Sequence, residues 1–288
     1  MITNLTGILF DGVAYGSLLF LIGVGLSITM GLMNFINLAH GAFAMAGGYI
    51  AVLALSRAGL PFAATLALAF FGTALLGGVA ERLLFRRLYR APHLDQMLFT
   101  VGFIFSSMAA ATYFFGAGQQ LVTMPEALQG QVRVFGVDLG IYRLFLILIV
   151  AIITILLHLM ITKTRFGAQI RAAVDNQDAS AGLGINVGLV FSLCFALGSG
   201  LAGLGGALGV EVLGLDPTFP MKYMVYFLLV VVVGGSGTIK GPLYASIILG
   251  ICDVAGKYYV PEAGSFIIYV LMIVLLLAFP AGLGGRRA

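Results

Sequence analysis

The sequence predicts an all-α fold, a polytopic transmembrane helical bundle of eight or nine spans. Discontinuous or re-entrant segments, an outer N-terminus and a cytoplasmic C-terminus belong to the same expectation. Three observations predict it. Of the 288 residues, 61% are hydrophobic and 9% charged, where a soluble domain carries about 25% charged residues, and the mean hydropathy is +1.10. Apolar stretches recur at close to the ~20 residues that a bilayer core requires. The basic residues gather in alternate connecting segments. So few charges cannot cover a water-soluble protein of this length, so most of the surface must face lipid. The net charge of +4 therefore belongs to membrane orientation and implies no nucleic acid.

The apolar stretches run over residues 8–30, 40–55, 61–80, 98–116, 141–161, 188–210 and 265–279. A further one, 223–254, is interrupted at Gly234-Gly235-Ser236-Gly237-Thr238-Ile239-Lys240-Gly241-Pro242 and forms either two short spans or a span and a re-entrant piece. Residues 1–11 contain no Lys or Arg, so the first stretch is expected to stay as a span. Residues 1–288 are read as a single transmembrane domain with a cytoplasmic loop at about 162–187.

Orientation follows from charge. Segment 81–95 carries Arg82, Arg86, Arg87 and Arg90, segment 162–187 carries Lys163, Arg165 and Arg171, and the tail ends in Arg286-Arg287. In the alternate connections Arg133 is offset by Glu126 and Asp138, and Lys222 by Asp216. The basic segments are predicted to be cytoplasmic. The 40 glycines need another reason. Gly12/Gly16, Ser199/Gly203, Ala202/Gly206 and Gly205/Gly209 stand four apart, the spacing that lets helix backbones approach in lipid.

Three segments could carry function. In the first, Asn34, Asn37 and His40 stand three apart between Gly31 and Gly41. They share a face if the segment is helical, either as a helix-helix hydrogen-bond cluster or as a broken helix lining a pathway. In the second, residues 168–182 predict about four turns of polar helix, with an Arg171–Asp175 pair and Gly184 as its C-cap. A cytoplasmic partner could grip such a helix. The third, Gly234, Gly235, Gly237, Gly241 and Pro242, is a glycine-rich helix break. It fails the phosphate-loop pattern because Gly241 follows Lys240.

Catalysis is excluded on composition of sites. His40, His93 and His158 lie outside metal-ligand spacing of one another, so no metal and no catalytic residue is expected. Cys194 and Cys252 sit within apolar stretches as small hydrophobes. Asp11 and Glu211 fall at outer ends, Asp253 pairs with Lys257 four residues on, and no acid cluster suggests ion coupling.

Stretches 34–49 (NFINLAHGAFAMAGGY), 165–186 (RFGAQIRAAVDNQDASAGLGIN) and 233–250 (VGGSGTIKGPLYASIILG) carry a resemblance. The chain is similar to the permease subunits of high-affinity branched-chain amino acid ATP-binding-cassette importers over essentially its whole length. The resemblance implies a transport subunit in the bacterial inner membrane and a heterodimer with a second, homologous permease. Two ATPase subunits would bind the ATP, with no cofactor in this chain, and a periplasmic binding protein would deliver the substrate. It implies an ATPase coupling helix that includes Arg171, Asp175, Asp178, Ala181, Gly182 and Gly184. Relatives that carry urea, short amides or aromatic acids leave an alternative substrate open, and a stand-alone secondary transporter or channel is the alternative class.

Overall fold

Two helices, α1 (Ile2–Met33) and α8 (Val187–Leu213), form the centre of the structure, a computed structural model that describes residues 2–33, 35, 37–89, 91–134, 137–262, 264–278 and 282–283. Asn34, Arg90, Arg286 and Arg287 lie outside the described residues. Around the centre stand α2 (His40–Val52), α3 (Phe62–Leu83), α4 (His93–Phe115), α5 (Ile141–Lys163), α9 (Phe219–Gly234), α10 (Lys240–Tyr259) and α11 (Gly264–Ala278). Two short helices, α6 (Arg165–Asp175) and α7 (Gln177–Gly182), connect α5 to α8.

Among the described residues, five helices are long and apolar enough to cross a membrane: α1, α3, α4, α5 and α8. The shorter apolar helices α9 and α11 accompany them. Among the described residues, a short β-hairpin departs from the all-α character. Strands β1 (Gln131–Val134) and β2 (Val137–Gly140) pair antiparallel between α4 and α5, with Arg133 opposite Asp138. The offsetting charges read from sequence are thus a cross-strand pair, with Nε 3.7 Å from Oδ1. Four residues per strand are too few to raise an alternation signal above the apolar stretches on either side.

Glycine decides which helices occupy the centre. In the apolar part of α1, 89% of residues are buried, against 17% for α5, the most apolar of the five. Lipid is as apolar as leucine, so hydrophobicity alone gives no reason to bury a helix; close backbone contact does. A Cβ at Gly12 would stand 2.6 Å from the Ile251 Cα, and one at Gly16 2.6 Å from the Ser246 carbonyl oxygen. These contacts seat α1 on α10. Gly25 faces Gly198 on α8, and Gly47 of α2 faces Gly203.

The ends of the bundle differ. Arg86 and Arg87 of the α3–α4 connection meet Met33 of α1 and Gln177 of α7 around one cavity, which defines a basic end. The β-hairpin marks the other, where the α4–α5 and α8–α9 connections pair through Gln120 and Leu215.

Candidate functional site

The chain between α1 and α2 is broken where the first motif lies. Phe35 and Asn37 are not helical, and a turn at Leu38-Ala39 leads into His40, the first residue of α2. Asn37 and His40 therefore do not share the helical face expected of them, and Asn34 lies outside the described residues. His40 Nε2 donates to the Ile22 carbonyl at 2.8 Å. Ile22 lies about three turns, or about 16 Å, back along α1 from Met33. The connection therefore returns beside α1 toward the level of Ile22. Non-helical backbone at such depth is tolerated where protein buries it, and here Phe35, Asn37 and Ala39 are all buried. Asn37 Oδ1 is buried without a hydrogen-bond partner.

The second motif is two helices rather than one. Thr164 caps α6, its hydroxyl accepting from the Gly167 amide at 3.1 Å. Asn176 is extended (φ −155°, ψ 110°) and its side chain accepts from the Ala179 amide at 2.9 Å, so a fresh N-cap starts α7. An asparagine that can bond its own following turn competes with helix continuation, and the continuous helix expected over 168–182 is corrected accordingly. The Arg171–Asp175 pair is also replaced. Arg171 donates instead to the Ile161 carbonyl, one of the last-turn acceptors of α5 that helix geometry leaves unpaired. Gly184 does end α7: its φ is +85°, its amide donates to Ala181 at 3.0 Å, and Ile185 donates to Ser180 at 3.1 Å. That double bond closes a Schellman cap. Asp178 lies in the first turn of α7, and Ala181 and Gly182 are exposed. A Cβ at Gly182 would meet nothing within 4 Å.

The third motif is a tight turn between α9 and α10. Gly235 and Gly237 make it, with φ of +86° and +78°, conformations that side chains disfavour. Gly234, Gly241 and Pro242 are helical instead. They form the crossing of α9 on α10, where a Cβ at Gly234 would lie 2.5 Å from the Pro242 nitrogen. The turn is docked on α1: the Gly237 amide donates to the Ser27 carbonyl at 2.9 Å, and Ser27 Oγ donates to Thr238 O at 3.2 Å.

One polar group escaped the sequence reading. Glu81 is 1% exposed inside α3, and its carboxylate accepts from Tyr89 Oη at 2.8 Å and Ser192 Oγ at 2.5 Å. It thereby ties α3, the α3–α4 connection and α8 together. Burial, and then the Glu81 hydrogen bond, hold the Tyr89 phenol well above its ordinary range, which keeps it a donor. An acid at the inner edge of an apolar stretch, next to Arg82, was the available signal; it was counted with the basic loop. At the hairpin end the expected Asp253–Lys257 pair is formed, at 2.6 Å, and Arg143 pairs with Asp11. Among the described residues no group of His, Cys, Asp and Glu could hold a metal ion.

Residues 8–276 match the protein family described as "Branched-chain amino acid transport system / permease component". Similar curated proteins include the high-affinity branched-chain amino acid transport system permease protein LivH of Escherichia coli, 26% identical over 96% of this chain and 94% of its own length. BraD of Pseudomonas aeruginosa, which bears the same description, is 26% identical over 96% and 95%. The probable branched-chain amino acid transport permease protein LivH of Methanocaldococcus jannaschii is 25% identical over 96% and 92%. No solved structure matches the chain.

Proposed function

The chain belongs to the family of permease components of branched-chain amino acid transport systems, and we propose that it is the membrane-spanning subunit of an ATP-binding-cassette importer for branched-chain amino acids. A periplasmic binding protein delivers the substrate, a second, homologous permease completes a heterodimeric core, and two ATPase subunits bind and hydrolyse ATP. This chain brings no cofactor and no catalytic residue to the assembly. The observation that carries the reading is the family match over residues 8–276.

In this reading residues 1–288 form one transmembrane domain that lies in the bacterial inner membrane and crosses it nine times. The passages are α1, the broken segment with α2, α3, α4, α5, α8, α9, α10 and α11. The basic end is cytoplasmic, as the positive-inside rule requires, so the N-terminus lies outside and the C-terminus inside.

The α6–α7 pair is the ATPase coupling element. It stands at the basic end and presents the exposed Ala181 and Gly182, small residues around which a cleft can close. The buried Asn37 acceptor without a partner and the adjacent His40 brace or line the translocation path, since an unmade hydrogen bond in the interior costs about 1–3 kcal/mol and persists where function retains it.

Reconstitution tests the proposal. The chain, the second permease, both ATPases and the binding protein in proteoliposomes should take up radiolabelled leucine only with ATP. Uptake of leucine by this chain alone without ATP, or ATP-driven uptake of urea in its place, would overturn it.

A further inference from the structure

At the hairpin end, α1, α5, α8 and α10 border a cavity of about 210 Å³. Two ion pairs stand on its wall. Arg143 of α5 engages Asp11 of α1 through one guanidinium nitrogen, and Lys257 Nζ lies 2.6 Å from Asp253 Oδ2 within α10. The Asp253 side chain is 1% exposed, whereas those of Arg143 and Lys257 are 45% and 51% exposed. Ala14, Leu146, Val212 and Val254 supply aliphatic lining to the same cavity.

A purely structural pair of salt bridges needs no aliphatic lining around it, and here two ion pairs and four aliphatic side chains border one cavity. The polar groups also keep capacity in reserve. Asp253 Oδ1 accepts only a long contact, 3.4 Å, from Tyr226 Oη. A guanidinium has five N–H donors, and Asp11 engages one nitrogen. The cavity lies below the ~300 Å³ at which pockets for drug-sized ligands begin, so it admits a small molecule only. Opposite charges and aliphatic side chains around one cavity specify what that molecule carries.

We propose that this cavity binds the zwitterion of an aliphatic amino acid. The α-carboxylate lies on Arg143, the α-ammonium on Asp253, and the side chain against Ala14, Leu146, Val212 and Val254. The charge assignment follows from the cavity; the choice of a branched side chain rests on the proposed transport function. Lys257 is the competitor for the same carboxylate. Its ammonium also lies over the Tyr15 ring, 5.6 Å from the centroid, and its half-exposed side chain can withdraw as the ligand enters. Ligand entry then exchanges one ammonium for another, and the buried Asp253 charge is paired before and after, which avoids the cost of an unpaired buried ion. Such exchange gives a site that fills and empties, as a transport pathway requires. With the basic end in the cytoplasm, the site faces the side from which substrate arrives.

Equilibrium binding of tritiated leucine to the full-length chain in lipid nanodiscs tests the site. Binding should saturate, and isoleucine and valine should displace it. 4-Methylpentanoate, which lacks the ammonium, and 3-methylbutylamine, which lacks the carboxylate, should compete at least ~10-fold less well. Asp253→Asn and Arg143→Gln should each weaken leucine at least ~10-fold. Val212→Phe, which narrows the cavity and removes no charge, should weaken leucine more than alanine and keeps the proposal testable if the charge variants fail to elute as a single species. Unchanged leucine affinity in all the folded variants, or equal competition by the two singly charged analogues, overturns the site. Leucine uptake by the complete transporter without leucine binding here overturns the site and leaves the transport reading standing. Binding here without leucine uptake supports the site and overturns that reading instead.

Discussion

Two hydroxyl groups hold the buried Glu81 carboxylate, one from nearby in the chain and one from far along it. Tyr89 is eight residues away and Ser192 is 111. Glu81→Ala leaves both hydroxyls facing a methyl group, and each buried donor without an acceptor costs about 1–3 kcal/mol. Glu81→Gln keeps a carbonyl oxygen for one of them. In thermal unfolding followed by size-exclusion in detergent, the alanine variant should melt several degrees below wild type and the glutamine variant between the two. Melting of the alanine variant at the wild-type temperature would show that the network contributes nothing. Sequence spacing revealed Asp253–Lys257 because an i,i+4 pair needs only its own helix. The same spacing at Arg171 and Asp175 misled, because the open carbonyls at the end of α5 compete for the guanidinium. Ser192 could not be linked to Glu81 at all, since nothing local connects positions on different helices.

At the scale of elements, the connection from α5 to α8 combines a legible and an illegible feature. Its helical, polar character and its glycine stop at Gly184 were readable from composition and turn chemistry. The break at Asn176 was not, because alanines and short polar residues flank it on both sides and favour helix equally. The exposed end of α7 makes a sharp test possible. Gly182 is exposed and a Cβ there touches nothing within 4 Å, so a side chain can start outward from the chain and a large one tests contact with a partner. Gly182→Trp should insert and elute as wild type, lose its ATPase subunits on co-purification, and lose at least ~90% of uptake if the contact carries the coupling. Wild-type ATPase stoichiometry together with transport would remove α7 from the coupling role. The broken connection before α2 was half legible. The glycines at 31 and 41 signalled an interruption, but the return of His40 to the level of Ile22 depends on a long-range hydrogen bond.

For the whole molecule, composition disclosed a helical, largely apolar chain and placed most apolar helices to within a few residues. It did not disclose which helices stand inside. The inverse relation between apolar character and burial in α1 and α5 follows from a solvent that does not distinguish lipid from leucine, so burial tracks glycine instead. Orientation has its own test. Single cysteines placed at Arg87, at the basic end, and at Gly130, beside the hairpin, should react with a membrane-impermeant maleimide from opposite faces of the membrane, Gly130 from the periplasm in intact cells. Labelling of both from one face would refute the nine-passage topology and the outside N-terminus together. The same backbone contacts bear on biogenesis. With 13 residues, α2 is about 20 Å long, well short of the ~30 Å hydrocarbon core. Even with the π-helical residues Leu53–Arg57 that continue it, it stays below the ~20 residues of an ordinary span. Gly203 and Gly206, on which α2 is seated, are translated more than a hundred residues after it. Until they emerge, α3, which packs Gly72 against Ile50 of α2, is the neighbour that can hold it, so the seat of α2 is completed only once α8 has been made.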